Sequence, residues 1–475
     1  MKTKHTKAPK TNTTATAYAP SHWTREAAGK IKATAANTIP PFNLAKLKTL
    51  MPGWHFWDWW YAMNERNQVA NVGGYTVIVG LARPVDDVES ANARMVFFYS
   101  KDGLHYTAGG YLFGEKRLFD DCQEWSGSTL LREDGKLQTF YTVAQGVELN
   151  GNWQTRQRFA TAIQNVTVSD AALVIDVPHY HDLLAEPDGR FYETAEQASL
   201  REVKFPTAHS RSFGSDQTEN TCFRDILYYK CPRTGRRFGL FEANTGTEVC
   251  PAGSIKRAYI GSDRFEPEYE PTIDDLKANG CIGILEFTDD ENTFVEFMPP
   301  LLTANLVTDE IERINIIDHD GHVYLFCVGH GNKNTLVTHN NDLSNRDYLL
   351  GFRGKSLFGP FEPMNGSGVV VQQKSLGAPY AGQEQNQQYV YSWKLVPTVK
   401  AGVFDCVGYA NYSTNERGQV VPVKSAAPTL EVRIKGLQSD IVGMKYDVQP
   451  VQEAAPQVTP SDAGTPSAGG YGHHE

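Results

Sequence analysis

Between about residue 41 and residue 448 the chain alternates short apolar runs with turn-forming residues. Segments 75–82, 94–100, 136–143, 159–163, 237–241, 282–287 and 322–328 are rich in Val, Ile, Phe, Tyr and Thr, residues that fit a pleated, half-buried surface. Asp102-Gly103, Asp134-Gly135, Thr234-Gly235 and Asp320-Gly321 fall between such runs. These dipeptides favour the positive-φ turns of tight hairpins. Helical spacing is scarce outside residues 23–29 and 271–277. The pattern predicts an all-β domain of meandering hairpins: a barrel, a pair of sandwiches or a propeller. A propeller would place about twenty strands in four-stranded blades and leave a funnel-shaped pocket on its axis.

The flanks differ. Residues 1–40, rich in Thr, Ala and Lys, are expected to form a loosely ordered arm with one short helix. Residues 449–475 are dominated by Pro, Gln, Ala, Ser and Gly and are expected to be disordered, because such a segment has too little apolar surface to bury. His473 and His474 at its end read as solvated side chains. The predicted organisation is therefore an arm (1–40), a β domain (41–448) and a tail (449–475).

A net charge of −10 argues against nucleic acid or an anionic membrane as partner, and no apolar run approaches the length of a membrane helix. The basic N-terminus lacks the apolar segment of a secretory signal. Expected locations are therefore outside the cell by a route without a cleaved signal, outside it as a chain already freed of its signal, or the cytoplasm. The seven cysteines, 122, 222, 231, 250, 281, 327 and 406, form no C-x-x-C pair. They read as buried free thiols, with a Cys222–Cys231 bridge across a hairpin the remaining option.

The candidate chemistry starts at His55-Phe-Trp-Asp-Trp-Trp60, where aromatic rings surround Asp58. Aromatic faces stack on the C–H faces of a sugar while a carboxylate attacks carbon, although such clusters are more often plain core. Asp225, beside Arg224, and Glu312, beside Arg313, stand at the starts of strand-like runs. A surface ion pair is the bland reading of each. Glycoside cleavage needs one ionised carboxylate and one protonated carboxyl group, and a third acid can hold sugar hydroxyls.

In these and other separated motifs the chain resembles the levansucrases and related fructosyltransferases of glycoside hydrolase family 68. The likeness runs from about Trp23 to Met444. It rests on Trp57-Asp58 with Gly74-Tyr75, residues 124–128 (Glu-Trp-Ser-Gly-Ser), Phe223-Arg224-Asp225 and residues 240–248. Residues 308–313 (Thr-Asp-Glu-Ile-Glu-Arg), Tyr324-Leu325-Phe326, Gly359-Pro360-Phe361 and residues 364–368 complete the set. The resemblance implies a five-bladed β-propeller with an axial pocket for sucrose. It makes Asp58 the nucleophile, Glu312 the acid and later the base, and Asp225 the stabiliser of the transition state. Glu312 then needs a raised pKa, which burial and neighbours such as Glu310 would provide. Arg224 and Arg313 become sugar-binding, Trp57 and Trp125 apolar walls, and Ser126 a hydrogen-bond partner of the nucleophile. Glu242, Glu310 and Tyr391 become contacts for glucose and acceptor, or supports for the acids, and His330 a residue that influences the acceptor.

Ile226 and Ile314 stand where the family often has proline, a change of backbone shape rather than of chemistry. Residues 287–289 do not clearly reproduce a calcium pattern known in some members, and no organic cofactor is expected. A metal pair from His179 and His181 lacks further ligands. The leading expectation is transfer of fructosyl to a β-2,6 fructan or short oligosaccharides. Hydrolysis to free fructose and a β-2,1 (inulin-type) product are variants within the family. An arabinan- or xylan-cleaving propeller and a non-catalytic sugar-binding propeller are the readings from outside it.

Overall fold

The structure, a computed structural model, describes residues 18–87, 92–200, 221–250, 256–271, 275–276, 278–338, 346–374 and 387–451. The predicted strands are present, most of them longer than the apolar runs that announce them. The turn glycines Gly103, Gly135, Gly235 and Gly321 all take positive φ, between 70° and 80°.

Antiparallel groups follow one another along the chain. The first holds β1 (Trp54–Asn64) with Thr76–Pro84, Arg94–Ser100 and His105–Tyr111. The second holds β2 (Gln123–Leu131) with Leu137–Leu149, Asn152–Gln164 and Tyr180–Ala185. A parallel pairing of Ala62–Asn64 with Thr129–Leu131 joins these two into one sheet. The third begins with β3 (Phe223–Lys230) and continues through Arg237–Asn244, Gly280–Phe287 and Val295–Thr303. The fourth begins with β4 (Glu312–His319), followed by His322–His330 and Arg346–Gly354, on which Phe361–Pro363 and Val369–Lys374 both pair. The fifth runs from β5 (Val390–Pro397) through Val403–Ala410 and Thr429–Lys435 to Gln438–Lys445. The opening strands pack in series, β1 on β2, β2 on β3, β3 on β4 and β4 on β5, and β5 returns to β1.

Apolar faces buried between neighbouring groups form the core. Phe56, Trp59, Val77, Val79 and Phe98 belong to the largest cluster, together with Trp393 and Phe404 from the fifth group. Gly80 lets Phe56 and Trp59 settle on its strand, because a Cβ there would lie 2.6 Å from the Phe56 ring and 2.7 Å from Trp59 Cβ.

The N-terminal segment departs from expectation. Residues 18–40 are packed rather than loose. Ser21–His22 adds a parallel edge strand at Leu302–Thr303, and a short helix, Arg25–Ala28, follows its Thr24 cap. Trp23 is 2% exposed and donates its ring N–H to the Ser367 carbonyl at 2.8 Å. Arg25 reaches Glu266 Oε2 at 2.9 Å and the Leu306 carbonyl at 3.0 Å. The sequence shows only its polar composition, whereas a few large side chains do the anchoring. At the other end, Gln449–Pro450 pairs with His105–Tyr106, so order extends just past the predicted boundary. Residues 452–475, with His473 and His474, lie outside the described residues, as do most of the helix predicted at 271–277 and the rest of the arm.

All seven cysteines are free thiols, six of them buried. Cys222 and Cys231 lie at opposite ends of β3 rather than across a hairpin. A strand of that length separates them by roughly 30 Å, far beyond disulfide reach.

If the segment is an integral part of the fold, Trp23→Ala should cost roughly 3–5 kcal/mol, as a buried Trp truncation does. Its melting temperature should fall by several degrees in calorimetry. An unchanged melt would mean that the segment is only loosely attached.

Candidate active site

Each of β1 to β5 slips register by one residue near its start. The slips fall between Trp57 and Trp60, Trp125 and Gly127, Arg224 and Leu227, Glu312 and Asn315, and Tyr391 and Lys394. In four of the five strands the first extra residue takes positive φ: Asp58 at 44°, Asp225 at 62°, Arg313 at 56° and Ser392 at 61°. A bulge breaks the strict up–down alternation of a strand, so two consecutive residues can serve one site. The pairs are Trp57-Asp58, Trp125-Ser126, Arg224-Asp225, Glu312-Arg313 and Tyr391-Ser392. Nine of these ten residues are sequence candidates; Ser392 is the one missed.

Arg224 is the electrostatic centre. Its Nη2 donates to Glu310 Oε2 and to Glu312 Oε1, both at 3.0 Å, and its Nε pairs with Glu242 Oε2 at 3.0 Å. Its guanidinium lies 5.8 Å from the Trp125 ring centre. Lys333 adds a second cation on Glu310 Oε2. Burial pushes the Glu310 carboxyl up, but Lys333 and Arg224 outweigh it and hold the group down at about 2. Glu242 is wholly buried, and burial raises its pKa well above the usual range despite Arg224. It therefore supports Arg224 from within the core.

Glu312 accepts a hydrogen bond from the Tyr391 hydroxyl at 2.7 Å. Its carboxyl is pushed up to about 7, first by burial and then by the charge of Glu310, with Arg224 and His330 opposing. The Glu312 carboxyl is thus raised, by burial and by Glu310.

Asp225 is fixed on three sides. Its N–H donates to Thr142 Oγ1 at 3.1 Å, and its Oδ2 accepts from the Arg313 N–H at 3.0 Å. Its Oδ1 accepts from Ser126 Oγ. The resemblance gives Ser126 to Asp58; the structure shows its Oγ at Asp225 Oδ1, and its strand β2 packs on both β1 and β3. Arg313, 1% exposed, turns its guanidinium to the Trp59 carbonyl at 2.9 Å and over the Trp60 ring at 5.6 Å. It braces the strand next to Asp58, while its Nε and Nη1 find no hydrogen-bond partner among the described residues. Trp57 is buried, with Lys424 Nζ 5.3 Å from its ring centre.

His330 lies flat on Tyr391, ring centres 4.4 Å apart and planes 11° from parallel. Its Nδ1 is 3.0 Å from Asp347 Oδ1 and its Nε2 is 3.8 Å from Glu312 Oε2. Lys394, 5% exposed, closes the β5 bulge. Burial and Arg313 push its ammonium well below the ordinary lysine range, against Asp225 and Asp58.

Sequence reasoning missed Lys333, Asp347, Tyr389, Ser392 and Lys394. Ser392 and Lys394 were within reach, since both follow Tyr391 closely. The buried Cys222, Glu242 and Glu310 have ligand atoms within 4.8 Å of one another. A thiol and two carboxylates already held by Arg224 and Lys333 do not make the cage of roughly six to eight oxygens that calcium takes. Asp289 spends its carboxylate closing its own loop on Thr293 and Phe294. His181 packs edge-on against Phe119, and neither it nor His179 joins a donor cluster among the described residues.

Residues 12–448 match the family described as Levansucrase/Invertase, glycoside hydrolase family 68. The chain belongs to this family. It is 31% identical over 455 residues to a levansucrase of Bacillus amyloliquefaciens, covering 90% of this chain and 89% of that one. An extracellular sucrase of Zymomonas mobilis is 29% identical over 429 residues, covering 88% of this chain and 91% of that one. In structure the chain resembles Bacillus subtilis levansucrase in complex with oligosaccharides. The TM-score is 0.77 at 27% identity, covering 91% of this chain and 98% of the other. This kinship makes the chain a family 68 fructosyltransferase of the levansucrase type.

The raised Glu312 carboxyl has a consequence for stability. Below about pH 4.3, the ordinary glutamate value, it is protonated in both folded and unfolded chains. From there to about pH 7 unfolding releases its proton, so its stabilising contribution is progressively lost, and above that the loss is constant. Glu312→Gln should therefore gain on wild type in melting temperature as pH rises through this window. A difference that stays constant with pH would contradict the assignment.

Proposed function

We propose that the enzyme splits sucrose by double displacement in the central pocket of a five-bladed β-propeller, each antiparallel group forming one blade. The Asp58 carboxylate attacks the anomeric carbon of the fructosyl unit. The bond to the glucosyl oxygen breaks, and that oxygen takes the proton of Glu312, releasing glucose. The fructosyl unit is left as an ester on Asp58. Glu312, now a carboxylate, takes the proton of an acceptor hydroxyl, whose oxygen attacks the same carbon and frees Asp58. Two inversions retain configuration. Asp225 holds fructosyl hydroxyls and favours the flattened, cationic transition state, with Arg224, Arg313, Trp57 and Trp125 enclosing the ring.

The observation that carries this reading is the unequal treatment of the carboxylates. Arg224 and Lys333 keep Glu310 ionised, while burial and Glu310 keep Glu312 protonated up to about neutral pH. A general acid works best with a pKa near the working pH. Asp58 occupies the corresponding bulge of β1 and is only partly buried, which supports its role as the nucleophile. The preferred acceptor is a growing β-2,6 fructan or a short oligosaccharide, with water competing for the same intermediate. The kinship with an extracellular sucrase supports work outside the cell.

Incubation with concentrated sucrose should release glucose in excess of fructose. Asp58→Ala should remain folded and lose at least about a thousandfold in kcat, as removal of a nucleophile does. Equal glucose and fructose would make water the main acceptor. Release of neither sugar would overturn the reading and return attention to arabinan and to simple sugar binding.

A further inference from the structure

His330 and Asp347 face one another across the His322–His330 and Arg346–Gly354 strands, in direct register. Asp347 is 3% exposed. Its Oδ1 meets His330 Nδ1 at 3.0 Å, and its Oδ2 accepts from the Tyr389 hydroxyl at 2.6 Å. The other face of the arrangement is equally fixed. Tyr391 lies parallel to the imidazole and hands its hydroxyl to Glu312 Oε2, so both the plane and the edge of the ring are set. His330 Nε2 is thereby directed at the same carboxylate oxygen, 3.8 Å away.

We propose that Asp347 is a positioning residue, which keeps His330 as a cation with one N–H turned to itself and the other toward Glu312, and so sets the pH range over which Glu312 carries its proton. The inference rests on Glu312 being the acid of the proposed reaction.

The physical case is a contest of terms. Burial alone would strip the proton from His330, since it disfavours the charged imidazolium. Asp347, by charge and hydrogen bond, reverses this, Glu312 and Glu310 add to it, and the imidazole is raised to about 9. Of these acids, Glu310 is already matched by Lys333 and Arg224, and Glu312 changes charge during the reaction. Asp347 is thus the fixed counter-charge. The cation in turn opposes the burial and Glu310 charge that raise Glu312, beside Arg224 and against Asp225. Among the described residues, the groups facing His330 and Glu312 include Asp347, Glu310, Asp225, Arg224, Tyr389 and Tyr391. Orientation of an imidazole by a buried carboxylate on its far nitrogen is a general way of fixing tautomer and direction.

The test replaces charge while keeping shape. Asp347→Asn should let His330 lose its proton at a pH lower by about two units or more, down to the range where Glu312 titrates, followed by NMR of labelled histidine in the full-length protein. That readout does not depend on activity, so it separates failure of this inference from failure of the proposed reaction. In the pH profile of kcat/KM on sucrose, the alkaline limb should move up in Asp347→Asn, because Glu312 loses a neighbouring cation. His330→Gln should move it the same way, and the double variant should move it no further. A His330 titration unchanged by Asp347→Asn, or a limb that moves again when both changes are combined, would overturn the proposal. If Asp347→Asn does not fold, His330→Gln decides alone: an unmoved alkaline limb overturns the proposal.

Discussion

Asp58, Asp225, Arg313 and Ser392 share a left-handed backbone at the same step of four opening strands, and the proposed chemistry depends on that step. A left-handed residue with a side chain costs on the order of 1–2 kcal/mol, and such strain persists only where the surroundings fix it. Here they do. The Asp225 N–H is tied to Thr142, the Arg313 N–H to Asp225, and the Trp59 carbonyl to Arg313. The β4 bulge is thereby tied across the strands to those of β3 and β1. Without the bulges, Trp57 and Asp58, or Arg224 and Asp225, would point to opposite faces of their strands, and the proposed site would lose one residue of each such pair to the other face.

The second constraint is charge. Arg224 meets three carboxylates in a setting where burial makes each unpaired charge costly. One guanidinium cannot neutralise three carboxylates, and the shortfall is not shared evenly. Lys333 assigns Glu310 the ionised state, Glu242 is raised by burial, and Glu312 is left near its midpoint at neutral pH. The proposed acid is thus made by the company of its neighbours rather than by any property of its own strand.

The strand pattern and the turns could be read from the sequence, since alternation, β-branched residues and Asp-Gly pairs are local signals. The candidate residues could be read too, but as separate motifs. Their common origin was hidden. Trp-Asp, Trp-Ser, Arg-Asp, Glu-Arg and Tyr-Ser share no chemistry, only a place in a bulge, and a register slip is visible only once the partner strand is known. For the same reason Asp347 left no trace, since its link to His330 is a cross-strand pairing. The N-terminal segment misled because Trp23 and Arg25 stand isolated in a polar stretch, although each is almost completely buried. Cys222 and Cys231 misled by separation alone: an apparent hairpin spacing turned out to span a whole strand.

The most direct test of this account is a crystal structure of Asp58→Ala soaked with sucrose. The account predicts the fructosyl ring over the bulges of β1 to β5, its anomeric carbon facing position 58. The glycosidic oxygen should lie within hydrogen-bonding distance of Glu312, and fructosyl hydroxyls should reach Asp225. Sucrose bound with its glycosidic oxygen turned away from Glu312, or outside the ring of bulges, would contradict it.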